Sequence, residues 1–192
     1  PTDSSIFSAT ATSSAAAGTY TLNVTQLAQA QNLVAAGQAS QTLPISTIDS
    51  TVTFTIDGNP LGVPIPAGST LQDIRAAINT ADIGVTASII NDGSATPYRL
   101  VLTANEPGAS NGVSSIAVSG DSAVSSLLTF SSAAPNNPTD VDYDPAAMSQ
   151  SAAAQNASFT VNGIAITSAT NTITDAIQGV TLTLKSETTT AT

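Results

Sequence analysis

The sequence predicts a mostly β fold with short helices, an α+β chain built from two small related units. Three observations carry this. Apolar residues alternate with Thr, Ser and Asn along several short runs, the period of a half-buried strand. One stretch, 69–84, shows helical spacing instead. And the phrase TFTIDG at 53–58 returns almost unchanged as SFTVNG at 158–163.

Taken in order, GTYTLNV from Gly18 places Tyr20, Leu22 and Val24 on one side and polar residues on the other, a strand. Its continuation through residue 36 has Leu27, Ala30, Leu33 and Val34 near helical spacing, and stays open between a helix and a second strand. Residues 41–50, with Pro44 and several turn formers, form a connection. TVTFTIDG is a strand with Val52, Phe54 and Ile56 on one face, turned by Asp57-Gly58. AGSTLQDIRAAINTADIG is the clearest helix, with an apolar stripe of Leu71, Ile74, Ala77 and Ile78, a capping box of Ser69 and Gln72, and Gly84 to end it. VTASIIND, YRLVLTANEPG and SIAVSG are strands. The Pro- and Asn-rich 131–144 reads as a linker or exposed loop. After it come a strand, a turn at Asn162-Gly163, a second strand, a short helical turn, a closing strand and a frayed TTTAT end.

The repeat extends past its six residues. Phe54 matches Phe159, Ile56 matches Val161, Asp57-Gly58 matches Asn162-Gly163, the helix residues Leu71 and Ile78 match Ile173 and Ile177, and Gly84-Val85 matches Gly179-Val180. Asp-Gly and Asn-Gly both suit turns that require positive φ, so the match has a mechanism. Two copies are too few for a solenoid and imply two related subdomains.

Composition narrows function. Three cations (Arg75, Arg99, Lys185) face thirteen acids, and the net charge of −10 opposes binding to nucleic acid or anionic membranes. Aromatics make up 4% and Trp is absent, so the core must rest on Val, Ile, Leu and Ala. No run approaches the ~20 apolar residues that span a bilayer. The chain opens at Pro1 without an initiator Met or leader, which fits a mature or excised piece of a longer protein.

Chemistry finds little to work with. Cys and His are both absent, which removes disulfides, ordinary zinc sites and the commonest general base. The lone Lys185 has no Ser three residues before it, and neither a Gly-x-Ser-x-Gly elbow nor a phosphate loop occurs. Asp140, Asp142 and Asp144 alternate as hard oxygen ligands would, but Pro145 and Ser151 stand where a calcium loop needs Gly and Glu, and a solvated acidic loop is the better reading. Asn23 and Asn156 begin glycosylation patterns on strands and are given no role. No catalytic, cofactor-binding or metal-ligating residue is singled out, no cofactor is expected, and the chain reads as a non-enzyme.

Two stretches carry a family resemblance. GTYTLNVTQLAQAQNLVA (18–35) resembles the N-terminal segment of the bacterial flagellar filament capping proteins, the FliD or hook-associated protein 2 family. AAQNASFTVNGIAITSATNTITDAIQGVTLTLKSET (153–188) resembles the short flagellin-type repeat of capping proteins and some flagellins. The resemblance implies an extracellular structural protein at the distal tip of the filament, whose copies form a cap and help flagellin subunits insert. Neither end shows the heptads of that family's helical legs, so the chain reads as the head region. The implied partners are other copies of the chain and flagellin, with host glycans or mucin as further candidates. The family's architecture further implies a discontinuous domain of 1–47 plus 133–192 with 48–132 inserted, the alternative being a sequential split near 135. A surface adhesin or an outer domain of flagellin are the competing functions.

Overall fold

A computed structural model describes residues 4–132 and 148–188. Its elements in chain order are β1 (Phe7–Ala11), β2 (Leu22–Gln26), β3 (Asn32–Val34), β4 (Ser50–Ile56), β5 (Asn59–Ile65), α1 (Leu71–Ala81), β6 (Val85–Asn91) and β7 (Tyr98–Ala104). There follow β8 (Val113–Ser119), α2 (Ser122–Leu128), β9 (Phe130–Ser131), β10 (Ser149–Ala152), β11 (Ala157–Val161), β12 (Ile164–Ser168), β13 (Thr172–Ile177) and β14 (Val180–Leu184). The chain divides into two compact units. The first comprises Pro1–Gln29, Glu106–Ala109 and Ala154–Thr192; the second comprises Ala30–Asn105 and Ser110–Ala153. The chain passes between the units at 29/30, 105/106, 109/110 and 153/154, where the sequence places crossings at 47/48 and 132/133. Residues 32–34 lie in the second unit because β3 pairs with β7 and β10.

The first unit holds two antiparallel three-stranded sheets, in the orders β1-β14-β13 and β12-β11-β2. Alternate apolar residues of these strands meet in one small core: Val24, Ala157, Phe159, Val161, Ile173, Ile177, Leu182 and Leu184 are all buried. Asn171 fastens the chain at Ala28, whose N–H donates to its Oδ1 at 2.8 Å and whose carbonyl accepts from its Nδ2 at 2.9 Å.

The second unit has two four-stranded sheets, β5-β4-β8-β9 and β10-β3-β7-β6. Helix α1 touches both, at β5 and β6, and α2 packs on β8. The core is larger and includes Leu33, Phe54, Ile74, Leu102, Ile116, Leu128, Phe130 and Met148. Buried Gln31 acts as a peptide substitute between β3 and β8: its Nε2 donates to the Val113 carbonyl at 3.0 Å while Val113 N–H donates to its Oε1 at 2.7 Å.

The hairpin half of the repeat is the same in both units. Ile56 opposes Asn59 and Val161 opposes Ile164, so each loop has two residues. Both loop residues have positive φ, 49° and 74° at Asp57-Gly58 and 50° and 82° at Asn162-Gly163, the type I′ geometry that matches strand twist. Phe54 and Phe159 each lie buried on the middle strand of three, β5-β4-β8 and β12-β11-β2.

Within the open stretch 26–36, residues 32–34 form strand β3, the second of its two alternatives. Two expectations change. The cap of α1 is Thr70 with Asp73 rather than Ser69 with Gln72, and Ser69 instead donates its hydroxyl to the Pro66 carbonyl at 2.7 Å. The helical turn assigned around Ile173 and Ile177 is strand β13, so the helix is not repeated. Strand β1 and helix α2 were not read from the sequence at all; α2 is announced only by its N-cap, Asp121.

Candidate functional site

In the first unit the exposed apolar groups gather around Tyr20. Strand β2 begins only at Leu22, so of the expected Tyr20, Leu22 and Val24 face Val24 is buried, Leu22 is half-buried and Tyr20 is 39% exposed. Tyr20 borders two grooves. One, of about 470 Å³, is walled by Phe7, Ala9, Leu22, Val180 and Leu182. The other, of about 390 Å³, is walled by Val161, Ile164, Ile166, Ala176 and Ile177. Ile164, immediately after the Asn162-Gly163 turn, is 69% exposed, the most solvent-facing large apolar residue described.

In the second unit the organising polar residue is Asp121, which is 3% exposed. Its Oδ2 accepts from Thr47 N–H at 2.6 Å, Thr47 Oγ1 at 2.7 Å and Ile48 N–H at 3.2 Å. Its Oδ1 accepts from the N–H groups of Ala123 at 2.7 Å and Val124 at 3.3 Å, at the start of α2. These donors, Thr47 foremost, hold the carboxyl far below the usual carboxylate range. One side chain thereby ties the 41–50 connection to α2. Beside it a groove of about 460 Å³ runs past Asp49, Ser50, Pro64, Pro66 and Gly120. Elsewhere in the unit Arg99 pairs with Asp92, and that bond, with hydrogen bonds from Ser94, lowers the Asp92 carboxyl to about 2.

The remaining sequence candidates do not converge. Lys185 donates from Nζ to the Ser4 carbonyl at 3.0 Å. Asn156 uses its Oδ1 to accept from Ala109 N–H at 2.8 Å, while Asn23 sits on β2. Asp140, Asp142 and Asp144 lie outside the described residues. Among the described residues no cluster of His, Cys, Asp or Glu is placed to hold a metal ion, and no helix is long and apolar enough to cross a membrane.

What the arrangement offers is surface: short antiparallel sheets, hairpin tips and shallow apolar grooves. Family comparisons cover much of the chain. The model described as "Flagellar hook-associated protein 2 N-terminus" matches residues 1–31, "Flagellin hook IN motif" matches 51–106, and "Flagellar hook-associated protein 2 C-terminus" matches 154–192. The flagellin-type motif was expected at 153–188; it is the other copy of the repeat, containing α1, that matches it. Flagellar hook-associated protein 2 of Escherichia coli strain K12 is 43% identical over 173 residues, 88% of this chain and 35% of that protein. The A-type flagellar hook-associated protein 2 of Pseudomonas aeruginosa is 34% identical over 97% of this chain and 39% of its own length. The chain thus spans little more than a third of these relatives. Among solved structures, the D2-D3 domains of the flagellar cap protein FliD from Escherichia coli superpose with a TM-score of 0.83 at 40% identity, covering 96% of this chain and 90% of that one. The Serratia marcescens FliD D2-D3 domains give 0.79 at 35% identity, covering 96% and 95%. The chain belongs to the flagellar hook-associated protein 2 (FliD) family.

Proposed function

We propose that this chain is the head region of a flagellar filament cap, that whole copies of the protein associate at the distal tip outside the cell, and that the cap promotes insertion of flagellin subunits. The observation that carries this reading is the match, across nearly the full chain, to the D2-D3 domains of proteins described as flagellar caps. The shallow groove that Tyr20 borders with Phe7, Leu22 and Leu182 is the kind of surface from which contacts between copies are made. The chain's role is mechanical and needs no cofactor.

Light scattering of the full-length protein beside this 192-residue chain tests the association. A defined oligomer of the full-length protein is expected, and strictly monomeric behaviour at high concentration would remove self-assembly from the proposal. Deleting the gene segment for this chain, with the flanking sequence kept in frame, is expected to leave flagellin escaping unpolymerised into the medium. Normal filaments in that strain would refute a cap role for the head.

A further inference from the structure

The two copies of the hairpin differ at their free edges. Among the described residues strands β5 and β12 each end a sheet, so each has one side without a strand neighbour. In a hairpin closed by a two-residue loop the flanking pair exchanges hydrogen bonds and the next pair does not, alternately outward. In β5 the residues whose backbone faces away from β4 are therefore Pro60, Gly62 and Pro64, which oppose Thr55, Thr53 and Thr51. Proline has no N–H, so this edge offers a donor only at Gly62. In β12 the corresponding outward residues are Ala165 and Thr167, opposite Thr160 and Ser158, and both keep their N–H.

Neighbouring edges are closed by other means. On β6 the Asn79 side chain from α1 donates to the Ala87 carbonyl at 2.9 Å and accepts from Ala87 N–H at 2.7 Å, occupying the edge as a partner strand would. On β2, the opposite margin of the sheet that contains β12, Thr188 accepts from Val24 N–H at 2.9 Å through its Oγ1 and donates its own N–H to the Val24 carbonyl at 2.8 Å. Strand β12 carries no proline, no charge and no bulge against β11. Ile164, Ala165 and Thr167 are exposed.

We propose that the outer edge of β12 is a strand-pairing site that takes up an extended, uncharged polypeptide segment with apolar residues at alternate positions. The backbone of Ala165 and Thr167 supplies the hydrogen bonds. Every second side chain of the incoming segment would lie on the side of Ile164 and Ile166, beside the groove of about 390 Å³ that these two residues line. A second copy of the chain fits less well. A five-residue edge buries far less than the roughly 1,000 Å² of a stable interface between two folded copies. A segment without its own fold needs only backbone pairing and alternate side chains, and is held weakly and released. The inference goes beyond the cap reading and stands without it.

The probe is a short, capped, fluorescein-labelled peptide alternating Thr and Val, titrated into the whole chain by fluorescence anisotropy. Backbone amide exchange is followed in parallel. Binding is expected to slow exchange at Ala165 and Thr167, and Thr167→Pro is expected to weaken it about tenfold by removing a donor on the outer edge. Protection at Phe159 and Ile166 reports whether the hairpin survives the proline. If it does not, Ile164→Ser, which leaves the backbone alone, must weaken binding instead. The double substitution Pro60→Ala with Pro64→Ala is expected to open a second peptide site on β5. Binding that ignores both Thr167→Pro and Ile164→Ser, or no new site in the double variant, overturns the inference. So does light scattering that shows a dimer of the chain dissolved by Thr167→Pro.

Discussion

In the second unit the hairpin β4–β5 is followed by an eleven-residue helix, two four-stranded sheets and a core with two buried phenylalanines, Phe54 and Phe130. In the first unit the matching hairpin β11–β12 runs into another strand, β13, and the buried core has Phe159 as its single aromatic. The same six-residue phrase therefore specifies the same turn, the same two-residue register and the same buried aromatic in two different settings. It specifies nothing about what the chain does next. Local chemistry governs the hairpin because the αL requirement at Asp57-Gly58 and Asn162-Gly163 is local; the element downstream depends on length and on which strand is waiting to pair.

The largest way to test the comparison is to remove the shared anchor. Phe54→Ala and Phe159→Ala are each expected to cost about 3–5 kcal/mol, because both side chains are fully enclosed and leave cavities. Amide exchange resolved by unit should show Phe54→Ala exposing β4, β5 and β8, and Phe159→Ala exposing β2, β11 and β12. With fewer buried neighbours to share the loss, the first unit is expected to lose its cooperative transition at a lower denaturant concentration. Equal loss throughout both units after either substitution would show that the two copies are not separate anchors.

Much of this was legible in the sequence. Strict alternation gave β4, β6, β7 and β11, and the Asp-Gly and Asn-Gly pairs gave both turns. The α1 stripe was read with its cap one residue early, because Ser69-x-x-Gln72 and Thr70-x-x-Asp73 both fit a capping pattern and only the bonds made decide between them. Ile173 and Ile177 misled for a physical reason: a spacing of four residues shares a face in a strand as well as in a helix, and Thr172, Ile173 and Thr174 are β-branched. The pairing with β14 slips between Ile173 and Ile177, and both reach the core. The interaction surface was not legible. Nothing in Gly-Ile-Ala-Ile-Thr marks an unblocked edge until the register shows which residues face outward, although Pro60 and Pro64 were visible hints of the blocked one.

A second contrast is acidic. Among the described residues, the carboxylates held below their usual range, Asp73, Asp92 and Asp121, all belong to the second unit. The folded form of Asp121 binds its proton less readily than the unfolded chain, so near pH 4 the unfolded state carries more protons and stability rises with pH. Its contribution is complete above the unfolded value of about 3.9 and is lost as pH falls toward the lower folded value. Acid titration followed by amide exchange at α2 should show this loss, and Asp121→Asn should lower the melting temperature at neutral pH while flattening the acid slope. An unchanged slope in that variant would assign acid sensitivity elsewhere.

A subtler test compares the turns themselves. Gly58 and Gly163 sit at φ of 74° and 82° with nothing within 4 Å of an added Cβ, so the cost of alanine is backbone strain alone. Gly58→Ala and Gly163→Ala are expected to cost about 1–2 kcal/mol each and nearly the same amount, measured by urea unfolding. A clear inequality would mean that one hairpin is strained by its surroundings and that the shared phrase does not set the turn unaided.

The smallest expected effect separates the copies where they diverge. Thr70 caps α1: its Oγ1 accepts from Asp73 N–H at 3.2 Å, and both its N–H and its hydroxyl reach Asp73 Oδ2, at 2.9 and 2.7 Å. These bonds, the hydroxyl's first, also hold the Asp73 carboxyl below its ordinary value. Thr70→Ala is expected to cost about 1 kcal/mol. Thr170 lies three residues before Ile173, the match of Leu71 in the other copy; its hydroxyl donates to the Thr172 carbonyl at 2.7 Å and no helix follows. Thr170→Ala should cost less than Thr70→Ala and leave exchange at β13 unchanged. If the two losses are equal, capping is not what separates the fates of the copies, and the β-branched run from Thr172 to Thr174 with its partner β14 must account for the difference by itself.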